Sequence, residues 1–282
     1  MLKLRVITAL LLFPLAVYGI LFLSNSGFAL FSGIIILLAA YEWAGFARFP
    51  SVLAKLAYVV IVATIIYSVW LINFLLSAKV MVVMSLAFWF FALILLLAFP
   101  RRIKFWQGKS LIIAIIGIFL LLICWYALIS LHAIESLHFA QITISGPYLV
   151  FSAMWLIWLA DTGAYFSGKR FGKHKLAPKI SPGKSREGVL GGLLLALIVI
   201  NLFTLWHGGA VQDYLFINAI SIVTVIFSVV GDLLESMFKR QADIKDSGHI
   251  LPGHGGILDR IDSVSAAVPA FYVILSLLYS LQ

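Results

Sequence analysis

The stretch Ser110-Leu-Ile-Ile-Ala-Ile-Ile-Gly-Ile-Phe-Leu-Leu-Leu-Ile-Cys124-Trp-Tyr-Ala-Leu-Ile-Ser-Leu131 contains no acid and no base. A helix needs about 20 predominantly apolar residues to cross the hydrocarbon of a bilayer, and this stretch is long enough. Comparable runs lie on either side of it, near 4–24, 28–47, 54–76, 79–99, 147–167, 188–207, 214–235 and 262–281. Composition agrees: 63% of residues are hydrophobic and 11% charged, against roughly 45–50% and about 25% in ordinary soluble domains. The chain therefore reads as an all-α polytopic membrane protein with about nine transmembrane helices.

The charges orient those helices. Counting by connection, 19 of the 20 Lys and Arg residues fall on one side of the membrane and only Lys79 on the other. Basic loops stay in the cytoplasm, so the N-terminus is expected to be cytoplasmic and the C-terminus periplasmic. The same reading accounts for the net charge of +9 without nucleic acid, because the cations sit in short loops and not along one soluble face. Lys3 and Arg5 precede the first run, but the run is longer than a signal-peptide core and no cleavage pattern follows, so it reads as a retained helix. Cys124 is the single cysteine, which excludes a disulfide framework and a Cys-ligated zinc site.

Two polar blocks interrupt this apolar chain, in loops expected at 168–187 and 236–261. Asp161-Thr-Gly-Ala-Tyr165 is read as the end of the sixth helix, and Lys169, Arg170, Lys173, Lys175, Lys179, Lys184 and Arg186 follow it. Gly183-Lys184-Ser185 resembles the end of a P-loop, but the glycine that motif needs at position 178 is Pro178, so the motif is rejected. Asp232, Glu235 and Ser236 share one side of the eighth helix, and Asp259 and Asp262 are three apart in the first turns of the ninth. Carboxylates near hydrocarbon are costly unless used. Six of them, counting Glu42 and Asp161, gather at one face, and hard oxygen ligands of this kind suit Mg²⁺. Lys239, Arg240, Lys245 and Arg260 supply positive charge beside them, and Gly255-Gly256 is read as either a turn or a backbone able to approach phosphate.

The run Ser236-Met-Phe-Lys-Arg240, then, four residues on, Lys245-Asp246-Ser-Gly-His-Ile-Leu-Pro-Gly-His254-Gly-Gly-Ile-Leu-Asp259-Arg-Ile-Asp262, resembles the signature of phosphatidate cytidylyltransferases, or CDP-diacylglycerol synthases. The resemblance extends through Asp161-Thr-Gly-Ala-Tyr, Phe171-Gly-Lys-His-Lys-Leu-Ala-Pro-Lys, Ser181-Pro-Gly-Lys-Ser and Gly231-Asp-Leu-Leu-Glu-Ser to the N-terminus, as in Gram-negative members. It implies a multi-pass enzyme of the cell inner membrane with its site at the cytoplasmic face. CTP and phosphatidate would give CDP-diacylglycerol and pyrophosphate with Mg²⁺ as cofactor. On that resemblance Asp232 and Asp259 are assigned to the metal, with room for a second cation. Lys239, Arg240, Lys245 and Arg260 are assigned to the triphosphate, and Asp246 and Asp262 to orienting those cations. His254 is assigned either a phosphate contact or a structural hydrogen bond. Lys173, Lys184 and Ser185 are assigned to the lipid headgroup or the nucleotide, while Asp161, Ser236, Gly255 and Gly256 line the pocket.

Two other readings use similar residues. A cation-coupled transporter would put carboxylates near the midplane in repeated halves, and a CDP-alcohol phosphotransferase would need an Asp-x-x-Asp-Gly arrangement that the sequence lacks. The chain divides into scaffold helices at 1–131, a periplasmic loop at 132–146 and a catalytic region at 147–282. Trp43, Trp70, Trp89, Trp106 and Trp125 are expected largely at the membrane interfaces of the scaffold. Gly188, Gly191 and Gly192 form a small-residue pattern suited to close helix packing, including contact between two copies in a homodimer. Nothing in the sequence supplies a partner for Glu42.

Overall fold

The computed structural model describes residues 2–72, 78–99, 108–253 and 255–279. Among these the chain forms nine helices: α1 (Leu2–Phe22), α2 (Asn25–Phe46), α3 (Val52–Ile72), α4 (Ala78–Ala98), α5 (Ser110–His132), α6 (Gly146–Phe171), α7 (Arg186–Trp206), α8 (Val211–Gln241) and α9 (Leu258–Tyr279). Eight are long and apolar enough to span a membrane. Large apolar side chains such as Phe90, Leu97 and Leu194 stand exposed on the outside of the bundle. Water would not tolerate such a surface, and acyl chains match it.

Two helices run further than their apolar stretches. The expected end of the sixth span lies at Asp161–Tyr165, yet α6 continues to Phe171, and α8 reaches 31 residues, carrying Lys239 and Arg240 in its last turn. Charge does not end a helix. Cations in the last turn face the negative end of the helix dipole and favour continuation. The two cytoplasmic-type loops therefore shrink to residues 172–185 and 242–257. Two antiparallel hairpins complement the helices: β1 (Leu137–Phe139) with β2 (Ile142–Ile144), inside the expected 132–146 loop, and β3 (Lys175–Ala177) with β4 (Ser181–Ser185).

The bundle centres on α5, 72% of whose span is buried, whereas α3 lies at the periphery with 17%. Three of the tryptophans expected at interfaces are instead core residues: Trp43, Trp89 and Trp125 are buried, and Trp70 alone of the described set is substantially exposed. The Trp43 indole donates to the Ile113 carbonyl at 2.8 Å and Trp125 to the Ala29 carbonyl at 3.1 Å, stitching α2 to α5. A buried indole N–H favours an acceptor, and for Trp43 and Trp125 a neighbouring helix supplies it, whereas the Trp89 N–H has none among the described residues. Trp106 lies outside the described residues.

The glycine pattern of α7 packs inside the chain. A Cβ at Gly163 of α6 would sit 2.7 Å from the Gly191 carbonyl, and one at Gly192 would strike the Ala160 carbonyl. This stripe serves the α6–α7 contact, the close helix packing that its spacing predicts. Gly231 serves α8 and α9 in the same way, lying against the backbone of Asp262.

Candidate active site

The C-terminal ends of α2, α6 and α8 meet the N-terminal ends of α7 and α9, and the β3–β4 hairpin lies against them. Spacing on α8 does the first part of the work. Ser236 Oγ donates to Asp232 Oδ1 at 3.2 Å, and Lys239 pairs with Glu235 Oε2 at 2.5 Å, each link spanning one turn. Lys239 also donates to Asp259 Oδ1 of α9 at 2.7 Å. The other oxygen of Asp259 accepts the backbone N–H groups of Ser247 and Gly256 at 3.0 and 2.9 Å. From the hairpin, Lys184 reaches Asp232 Oδ2 at 2.5 Å.

Two ion-paired groups result. Lys184 faces Asp232, with Asp161 as a further charged neighbour, while Lys239 is shared by Glu235 and Asp259. Asp262 has Asp232, Lys184 and Lys239 as charged neighbours, so it adjoins both groups. Asp232 and Asp259, assigned on the resemblance to hold the metal ion or ions, occupy separate ion pairs here, Asp232 with Lys184 and Asp259 with Lys239.

Beside them lies a cavity of about 390 Å³ between α6, α7, β4 and α8. Asp161, Tyr165, Lys169, Lys184 and Ser185 give it a polar side, and Val189, Val225 and Val229 an apolar one. Ser185 has a structural duty as well: its hydroxyl accepts the Gly188 N–H at 3.1 Å and caps α7. Arg240 is likewise engaged, donating through Nε to the Ile180 carbonyl at 3.2 Å and so holding the hairpin against α8. Lys173, Lys245, Asp246 and Arg260 are exposed. His254 lies outside the described residues.

The glycine pair resolves as a loop built around carboxylates. Gly255 adopts a φ of +83°, and a Cβ there would sit 2.8 Å from Asp259 Oδ2; one at Gly256 would strike the Glu42 carboxylate. Glu42 is the residue whose partner the sequence did not supply. Buried at 4% exposure, it accepts from Ser247 Oγ, Ile257 N and Leu258 N. No local spacing could have revealed this, because its partners lie more than 200 positions away.

Five carboxyl groups, those of Asp161, Asp232, Glu235, Asp259 and Asp262, gather around two paired lysines, so acids outnumber their cationic partners. Glu235 Oε1 is buried with no hydrogen-bond partner among the described residues. Both features fit a cation. No group of three or more His, Cys, Asp or Glu forms a ready cage among the described residues. A Mg²⁺ ion needs no such cage, since it takes one or two carboxylates and fills its shell with water and phosphate oxygens.

Fold and site together define a multi-pass membrane protein with a charged pocket among the ends of its helices. The sequence profile described as the Cytidylyltransferase family matches residues 3–278, and the chain belongs to that family. It is similar to the phosphatidate cytidylyltransferase of Pseudomonas aeruginosa, 42% identical over 98% of this chain and 97% of the relative. The phosphatidate cytidylyltransferase of Haemophilus influenzae is 38% identical over 96% and 97%, and that of Bacillus subtilis 46% identical over about half of each chain.

Proposed function

We propose that the chain transfers the cytidylyl group of CTP to phosphatidate, giving CDP-diacylglycerol and pyrophosphate for phospholipid synthesis. The observation that carries this reading is the cavity beside the ion-paired carboxylates, which joins a cationic hairpin to an apolar wall. A lipid phosphate held at the membrane interface needs both surfaces, and a water-borne triphosphate needs the first. The carboxylates cluster near helix ends, unlike the midplane groups of a transporter.

Transfer onto an existing phosphate requires no enzyme nucleophile. A phosphatidate oxygen attacks the α-phosphorus of CTP, the bond to the β-phosphate oxygen breaks, and pyrophosphate leaves. The protein's task is to position two polyanions and neutralise their charge. Asp232 and Asp259 would hold Mg²⁺, which supplies charge neutralisation at the phosphates when bound, with Asp262 adjoining both and a second cation accommodated by the acidic excess. Lys184 and Lys239, whose partners are these same carboxylates, are placed to turn toward phosphate oxygens. Arg240 holds the hairpin, and the exposed Lys173, Lys245 and Arg260 offer charge to an incoming triphosphate, with Asp246 next to Lys245 in the chain to orient it. The site faces the cytoplasm across the inner membrane, where CTP is available.

Purified protein incubated with labelled CTP should yield labelled lipid only when phosphatidate and Mg²⁺ are both supplied. Incorporation that ignores phosphatidate would refute the assignment.

A further inference from the structure

We propose that Glu42 is a positioning residue for the cytidylyl-transfer site, setting the orientation of Asp259 and Lys239 from a helix that contributes nothing else to the chemistry. The proposal rests on the functional reading above for its activity readout, and on geometry alone for its structural one.

Glu42 sits near the C-terminal end of α2 and is 4% exposed. Its carboxylate has no salt-bridge partner among the described residues and is satisfied by donors from a single stretch of chain. Oε1 accepts from Ile257 N at 3.1 Å; Oε2 accepts from Leu258 N at 2.8 Å and Ser247 Oγ at 3.0 Å. Ile257 N and Leu258 N belong to the unpaired amides at the start of α9, so a carboxylate there completes the helix end and meets its positive pole. A local Ser or Asp usually does this. Here the cap comes from another helix.

Ser247 carries the effect onward. Its Oγ accepts the Asp259 N–H at 3.3 Å while its own N–H donates to Asp259 Oδ2 at 3.0 Å, gripping Asp259 at two points. The opposite oxygen of Asp259 holds Lys239. A continuous relay thus runs Glu42, Ser247, Asp259, Lys239. The loop is shaped to admit Glu42: a Cβ at Gly248 or Gly256 would strike its carboxylate. Burying a charge here is costly, and a neutral Gln would present an amide N–H₂ where an acceptor is needed, breaking one branch of the network.

The test compares wild type, Glu42→Gln, Ser247→Ala and the double variant, each purified as folded full-length protein. Glu42→Gln should lower kcat between about tenfold and a hundredfold, with KM for CTP and for phosphatidate each within about threefold. Ser247→Ala should show the same pattern more weakly, and the double variant should fall no more than about twofold below Glu42→Gln, because both act through one relay. An unchanged kcat, a loss confined to KM, or losses that multiply in the double variant would overturn the proposal. Should Glu42→Gln fail to fold, Ser247→Ala decides by the same criteria. Hydrogen exchange gives a readout independent of activity: residues 247–259 should lose protection in Glu42→Gln while α5 and α6 keep theirs. Unchanged protection sinks the positioning role. Absence of cytidylyl transfer by the wild type would instead sink the functional reading and leave exchange to judge Glu42.

Discussion

Lys239 holds two carboxylates at once, Glu235 at 2.5 Å and Asp259 at 2.7 Å, and all three side chains are largely withdrawn from solvent. Removing that cation leaves two buried acids uncompensated, so Lys239→Ala should destabilise the protein by about 3 kcal/mol as well as abolish turnover. A thermal-unfolding measurement in detergent checks the first effect separately from the second. Asp259→Asn keeps the shape of the side chain but discards its charge. Turnover should fall by about a hundredfold or more while the protein remains inserted in the membrane, as rates and a membrane-fraction assay would show. Lys184 discriminates between two ligands. If it holds the lipid headgroup, Lys184→Ala raises the KM for phosphatidate more than that for CTP; the reverse ratio reassigns it to the nucleotide.

At the scale of the element, α6 and α7 meet backbone to backbone through Gly163 and Gly192, and this contact aligns Asp161 with the hairpin that carries Lys184. Gly192→Leu should force the helices apart, lowering stability by about 1–3 kcal/mol and widening the cavity. A drop in melting temperature with loss of activity is the expected pair of results. Helix length was hard to read from sequence. Apolar runs mark the part of a helix that lies in hydrocarbon, and α8 at about 1.5 Å per residue spans well beyond the roughly 30 Å of a bilayer core. The residues near its C-terminal end include Glu235, Ser236, Lys239 and Arg240 of the site. Lys239 and Arg240 read as loop because they are charged, yet a solvated helix tolerates charge, and Lys239 needs helical spacing to reach Glu235.

Across the whole molecule, the excess of Lys and Arg on one set of connections predicts which loops face the cytoplasm. Cys124 is buried, so cysteines introduced elsewhere can report topology with little background. Lys173→Cys should react with an impermeant thiol reagent only after cells are opened, and His138→Cys, in the β1–β2 hairpin, should react in intact cells whose outer layer is permeabilised. The opposite pattern would invert the orientation and move the site to the periplasm.

Membrane class, the all-helical architecture and the identity of the charged residues were determined by the sequence itself, because hydrophobic length and ionisable side chains are local properties of the chain. The pairing of those charges was not. Which lysine meets which carboxylate, why three tryptophans lie inside the bundle, and how Glu42 reaches the start of α9 were decided only by tertiary packing. A hydrogen bond or ion pair between helices depends on the space they share, and no local spacing encodes a distance between residues 42 and 258.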